Sequence, residues 1–179
     1  PNSKYVVGGS LTISADVTDM DNDAITKVEI YSPHLGSGST VTITTPPYTT
    51  TYSQLPAASP QIGGLTFVVK AYDARGAIGG SDIFVAQDRR PEVFISSPVN
   101  NSTVIAGNIT IVANAFDTEG LSYVEFLNAA GAVVFTDNAA PYEYTVNLSE
   151  GNYTYRVIAY DNAGQSSETA HTSFTVTAA

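Results

Sequence analysis

The residues of this chain best suited to chemistry are its aspartates. Asp19, Asp21 and Asp23 alternate within one short polar stretch. Hard oxygen ligands at i, i+2 and i+4 are how a calcium loop begins, although the glycine and the distal glutamate of an EF-hand are missing here. Asp73 follows a β-like run, and Asp117, Glu119 and Asp161 stand in two comparable turns further along. Carboxylates converging without lysine repel one another unless a cation sits among them. The alternative is that each aspartate accepts hydrogen bonds from the amides of its own turn. Asp161-Asn162-Ala163-Gly164 reads easily as such a turn, so the turn reading is preferred there; for Asp19, Asp21 and Asp23 both readings stand. Catalysis is not expected. The two histidines, His34 and His171, are far apart in sequence, and no nucleophile elbow, phosphate-cradling glycine loop or paired-carboxylate cleft is indicated.

Charge and composition narrow the ligand classes. Seventeen acidic residues against seven basic ones give a net charge of -10. That argues against nucleic acid, whose phosphates call for clustered Lys and Arg, and against anionic membrane surfaces. No cysteine is present, which excludes disulfides, thiolate zinc sites and iron–sulfur clusters. No apolar run approaches the roughly 18 residues of a membrane helix, and the opening PNSKYVVGGS is not a signal peptide. A sugar platform would use exposed aromatic faces. The chain has 11 Tyr and no Trp; Tyr48, Tyr142, Tyr153 and Tyr155 have core-facing or proline-flanked spacing, whereas Tyr5, Tyr52 and Tyr123 are candidates for exposure. The sequons at Asn101, Asn108, Asn147 and Asn152 are read as products of a Thr- and Asn-rich composition.

The elements that hold these residues come in two copies. Gly9-Ser10-Leu11-Thr12-Ile13 with Asp19 matches Gly107-Asn108-Ile109-Thr110-Ile111 with Asp117. Val28-Glu29-Ile30-Tyr31 matches Val124-Glu125-Phe126-Leu127, Pro47-Tyr48 matches Pro141-Tyr142, and Ala71-Tyr72-Asp73 with Gly76 matches Ala159-Tyr160-Asp161 with Gly164. Blocks recurring in one order at a spacing of about 90 residues make two domains, residues 1–88 and 89–179. The boundary, Asp88-Arg89-Arg90-Pro91, is charged and stiffened by its proline, which predicts a limited range of hinge angles. Apolar residues alternate at Leu11, Ile13, Ala15 and Val17, at Ile109, Ile111, Ala113 and Ala115, and at Tyr153, Tyr155, Val157 and Ala159. Period two places one side of a strand on a core. In the second copy this gives about seven strands, at 92–96, 103–105, 108–116, 121–127, 132–136, 142–147 with 152–160, and 166–176. The expected fold is all-β: two tandem immunoglobulin-like antiparallel β-sandwiches, each held by packing alone.

The order Pro91-x-Val93-x-Ile95-x-x-Pro98-x-Asn100-Asn101, Ala113-x-Ala115-x-Asp117-x-x-Gly120, Val124-Glu125-Phe126, Ala140-Pro141-Tyr142, Gly151-x-Tyr153 and Ala159-x-Asp161-x-x-Gly164 resembles the bacterial Ig-like domain family. The resemblance implies a tandem module of a larger secreted or cell-surface bacterial protein. Such a module is non-catalytic and often accessory to a polysaccharide-degrading enzyme, and its partners are the neighbouring domains of the parent chain. It also implies an alternative, an adhesive module that binds glycan or protein and is stiffened by calcium. Gly151-x-Tyr153 is similar to a tyrosine corner, giving Tyr153 a structural role; its counterpart in the first copy is Leu65, and fibronectin type III is a near neighbour in fold. The first copy departs from the pattern. Its Pro1 aligns with Pro98, so the segment equivalent to 91–97 is absent: either the sequence was cut after that strand or a different edge takes its place. One sheet edge should then be less covered, which invites pairing with another chain. The loop after Asp19 is longer (offsets of 98 before it and 96 after), as is the stretch from Leu55 to Gly64.

In such a sandwich the loop after the second strand and the loop before the last lie at one end. That would gather Asp19, Asp21, Asp23 and Asp73 in the first copy, and Asp117, Glu119 and Asp161 in the second. Asp88 would lie near the second set, where a shared calcium could stiffen the joint. The alternative is ion pairing of Arg89 or Arg90 with Asp117, Glu119 or Asp161.

Overall fold

The computed structural model describes residues 4–59 and 61–178. Pro1 and its alignment with Pro98 therefore lie outside the described residues. The chain divides into two compact units, 1–88 and 89–179, each a two-layered antiparallel sandwich.

In the first unit the strands are β1 (Leu11–Ala15), β2 (Ile25–Tyr31), β3 (Val41–Ile43), β4 (Tyr48–Tyr52), β5 (Gly64–Asp73) and β6 (Ile78–Ala86). One sheet runs β3-β2-β5-β6 and the other is the pair β1-β4. Short 3-10 turns at Pro33–Leu35 and Ser37–Ser39 join β2 to β3. Ile13, Val28, Ile30, Leu65, Phe67 and Val85 build the core between the layers.

The second unit holds β7 (Glu92–Ser97), β8 (Thr103–Ile105), β9 (Gly107–Phe116), β10 (Leu121–Asn128), β11 (Val133–Asp137), β12 (Tyr142–Leu148), β13 (Gly151–Asp161), β14 (Ser166–Glu168) and β15 (Thr172–Thr177). Its sheets run β11-β10-β13-β15-β8, with β14 beside β13, and β12-β9-β7. Its core centres on Ile111, Val124, Phe126, Val157, Ala159 and Val176, all but closed to solvent.

The period-two alternation points where the sequence predicts: Ile109, Ile111 and Ala113 face inward on β9, and Tyr155, Val157 and Ala159 on β13. The strand list differs in two places. The stretches 142–147 and 152–160, counted together, are two strands in opposite sheets, separated at Ser149-Glu150. The stretch 166–176 breaks between β14 and β15, because Thr169 takes over the bonding there. Its N–H donates to the Val157 carbonyl at 2.9 Å, and its Oγ1 accepts from the Val157 N–H at 3.0 Å.

On the solvent faces, hydroxyls bond across the ladders. Thr12 meets Thr51 at 2.8 Å, Thr110 meets Thr145 at 2.7 Å, and Thr154 meets Ser173 at 2.8 Å. Cross-strand Thr pairs of this kind add small increments to a sheet. They also account for an outer surface that is polar with little charge.

Candidate functional site: the acidic turns

In the first unit, Asp19 Oδ1 accepts the amides of Asp21 at 2.9 Å and Asp23 at 3.0 Å. Asn22, with φ of 59°, completes this Asx-type loop. Asp73 Oδ1 accepts the amides of Arg75 and Ala77, both at 2.8 Å, and Gly76 supplies the left-handed residue at φ 88°. The two loops meet through Arg75, whose Nε lies 3.0 Å from Asp23 Oδ2. The same pole therefore carries its own cation, which the sequence reading did not foresee.

In the second unit, Asp117 Oδ1 accepts the Glu119 amide at 2.7 Å. Asp161 is 2 % exposed. Its Oδ1 accepts the amides of Ala163 at 2.8 Å and Gln165 at 2.7 Å, and its Oδ2 accepts Gln165 Nε2 at 3.2 Å. Asn162 ties this turn to the neighbouring loop, donating from Nδ2 to the Glu119 carbonyl and from its backbone N–H to the Gly120 carbonyl, both at 3.2 Å. The acidic turns thus share one pole in each unit, as a sandwich requires. One oxygen each of Asp19, Asp73, Asp117 and Asp161 already accepts turn amides. Among the described residues, no group of three or more His, Asp or Glu side chains is placed to hold a metal ion.

In the linker, Pro91 is fully buried and Asp88 is 4 % exposed. Arg89 and Arg90 are exposed, and Arg90 donates to the Ser166 carbonyl at 3.2 Å. His34 and His171 are both exposed.

The tyrosines depart from the sequence reading. Tyr5 is 2 % exposed and donates to the Pro56 carbonyl at 3.0 Å. Tyr52 is also interior, its single hydroxyl proton shared between the Ile30 carbonyl at 2.7 Å and the Ser39 carbonyl at 3.0 Å while its ring packs on Phe67. Neither offers a face to a sugar, and burial raises both phenols above their ordinary pKa. Each fills the core while its hydroxyl satisfies a distant carbonyl, and no local spacing signals such a bond. Tyr123 is half-buried and stacked on Tyr160, centroids 4.5 Å apart. Tyr153 donates to the Ser149 carbonyl at 3.2 Å, as a tyrosine corner does, but its ring is half-buried rather than enclosed.

A second repeated cluster went unnoticed in the sequence, although its residues lie in the matched blocks. Tyr72 donates to Glu29 Oε2 at 2.7 Å, and Tyr160 to Glu125 Oε2 at 3.2 Å. In the first unit Lys27 completes it, with Nζ 2.6 Å from Glu29 Oε1 and 4.2 Å from the Tyr72 ring centre. The Lys27 bond first, then the Tyr72 bond, hold the Glu29 carboxyl below its usual range. The bond to Glu29 likewise holds Lys27 above its usual value. A depressed carboxyl stabilises the fold above its unfolded value and ceases to do so as pH falls through the folded one. Glu29→Gln is therefore expected to lower the urea midpoint slightly at pH 7, the cluster being solvent-facing. The gap to wild type should close as pH drops below about 4. A gap that is constant from pH 3 to pH 8 would exclude the charge from this role.

These two sandwiches, with their acidic turns at one pole and an early segment paired parallel to the last strand, place the chain in the immunoglobulin-like class of β-sandwiches. The family model described as bacterial Ig domain matches residues 91–157, within the second unit. No curated protein matches the chain. Among solved structures, it is similar to the fibronectin(III)-like modules of Clostridium thermocellum CbhA, at 27 % identity over 99 % of this chain and 89 % of that one, TM-score 0.47. The three N-terminal domains of the bacteriophage RB49 highly immunogenic outer capsid protein match at 13 % identity over 97 % of this chain, TM-score 0.59; the chain spans 56 % of that protein. The pair IG1+IG2 of DIP-gamma matches at 13 % identity over 99 % of this chain and 93 % of that one, TM-score 0.45. Among the described residues no helix is long and apolar enough to cross a membrane.

Proposed function

We propose that this chain is a non-catalytic, load-bearing spacer of a larger secreted or cell-surface bacterial protein, with the neighbouring domains of that protein as its partners. A polysaccharide-degrading catalytic domain is the neighbour the reading expects. The observation that carries it is the parallel strap that each unit forms between a segment near its entrance and its exit. In the second unit β8 and β15 run parallel, with Thr103 opposite Thr175 and Ile105 opposite Thr177. The strap is extended by Asn101 N–H to the Ser173 carbonyl at 2.6 Å, Thr175 N–H to Ser102 at 2.9 Å, and Ala106 N–H to Thr177 at 2.8 Å. In the first unit Tyr5 and Gln87 form a parallel bridge, Tyr5 N–H donating to Ala86 at 3.0 Å and Asp88 N–H to Tyr5 at 2.8 Å. Tension on the two ends of such a unit pulls parallel neighbours in opposite directions along their length. The strap's hydrogen bonds then share the load instead of opening singly.

The test is single-molecule stretching of the full chain. Ala106→Pro removes one strap donor at the end of β8 and is expected to lower the unfolding force of one event while leaving the other unchanged. Equal forces with and without the substitution would remove the strap from the account.

A second reading, adhesion to glycan or protein, is favoured by one feature. Phe94 on β7 and Phe116 on β9 are 59 % and 64 % exposed and are diagonal neighbours in the β7–β9 register. Retention on insoluble cellulose or chitin that Phe94→Ala abolishes would favour it.

A further inference from the structure

Within the second unit, between β10 and β12, β11 forms the edge of its sheet, and its composition is unlike that of an edge built to stay single. It pairs with β10 alone, so its other side carries no ladder among the described residues. Ala132, Val133, Val134 and Phe135 are four consecutive apolar residues that all stand exposed. The three larger ones are 49 %, 37 % and 40 % exposed. An exposed apolar run of about this length is a fault in a soluble fold unless it has a function. The Phe135 ring stacks on Tyr144 of β12, centroids 5.4 Å apart, and lies 6.2 Å from Phe126. The open side therefore reaches to the core of the sandwich.

The first unit closes the same side. Its counterpart of β11 is β3, which has three residues against five, and Val41 and Ile43 are half-buried. Residues 32–40 lead into β3 and are tied down over it. Ser39 Oγ donates to the Ser32 carbonyl at 2.9 Å, and the Tyr52 hydroxyl reaches the Ser39 carbonyl at 3.0 Å. In the second unit only residues 129–132 join β10 to β11, a connection too short to cover the strand.

We propose that β11 pairs antiparallel with β11 of a second copy of this chain, across a two-fold axis at Val134. The strand is complementary to itself in that register. Val133 comes opposite Phe135 of the other copy, Ala132 opposite Thr136, and Asp137 opposite Gly131. Apolar pairs directly opposite one another strengthen a ladder and like charges weaken it. Here no charge meets a like charge, because residues 129–136 hold no charged side chain. A second copy supplies the match by symmetry, and a patch that binds itself closes at a dimer. With β3 covered, growth beyond two chains has no second edge of this kind to use. Of the devices that blunt an edge, β11 has a bulge at Val134 but neither lysine nor proline. The bulge and the short pairing make the dimer a weak one, of the class that buries less than about 1,200 Å².

The test is sedimentation of the full chain from about 10 µM to about 1 mM, at about 0.15 M salt so that the like net charges of two copies are screened. A monomer–dimer equilibrium that stops at the dimer is expected. Val134→Lys sets two lysines opposite each other on the axis and should raise the dimer Kd at least about tenfold. Val134→Glu should do the same, and mixing the two variants should restore the dimer, since only pairing centred on this residue sets the introduced lysine against the introduced glutamate. Amide exchange of the unsubstituted chain gives a reading that needs no variant to fold: protection at residues 132–136 should rise with chain concentration while that at 41–43 stays constant. The proposal is overturned by a monomer at every concentration, by species that grow past the dimer, by a dimer that Val134→Lys leaves intact, by folded monomeric variants whose mixture stays monomeric, or by protection at 132–136 that does not change with concentration.

Discussion

Phe126→Ala is expected to destabilise the second unit by about 3–5 kcal/mol, the range for truncating a buried aromatic. The ring is 0 % exposed, with Phe135 at 6.2 Å and Tyr144 at 6.0 Å between centroids. A domain of this size holds on the order of 5–15 kcal/mol in all, and there is no disulfide to fall back on. The substitution should therefore bring residues 89–179 close to unfolding at 37 °C. The first unit has a separate core around Phe67 and Ile30, so its amides should keep their protection. Phe126→Ile should cost clearly less, because Ile30 already occupies the matching place in the first copy. The measurement is hydrogen exchange by NMR or mass spectrometry; loss of protection throughout both units would contradict two separate cores.

Asp161→Ala is expected to cost about 2–3 kcal/mol. It removes the acceptor of the Ala163 and Gln165 amides at a site 2 % exposed, and stranded buried donors cost about 1–3 kcal/mol each, less where water can reach them. Asp161→Asn keeps an acceptor oxygen and should lose no more than about 1 kcal/mol. The same pair separates turn capping from calcium binding. With Asp161 Oδ1 engaged by two amides, millimolar calcium is expected to leave the Tm unchanged in wild type and in both variants. A rise of several degrees in wild type, absent in Asp161→Asn, would instead make this carboxylate a metal ligand. Differential scanning calorimetry with calcium and with chelator reads both.

The sandwich was legible because its signals are local. Alternation at Leu11, Ile13 and Ala15 and at Tyr155, Val157 and Ala159 needs no partner to be read. The duplicated blocks then supply order and boundaries. What stayed hidden depends on segments distant in sequence. Tyr5 and Tyr52 look like surface tyrosines until the carbonyls of Pro56, Ile30 and Ser39 are brought to their hydroxyls. Arg75 looks unrelated to Asp23 until two loops meet at one pole. The break between Leu148 and Gly151 was visible, but counting 142–147 with 152–160 as one strand hid that the two stretches lie in opposite sheets. The acidic pattern was visible, but its chemistry was not. Spacing alone does not show which amides a carboxylate accepts; only the distances to Asp21, Asp23, Arg75, Ala77, Ala163 and Gln165 do.

The central claim is that the chain is two separately cored, strapped sandwiches built to carry load, and its most direct test is the force–extension trace of the unmodified chain. Two abrupt unfolding events are predicted, each releasing roughly 250–300 Å of contour as about 90 residues extend at about 3.4 Å apiece. One event releasing about twice that length, or a smooth lengthening with no abrupt event, would contradict it.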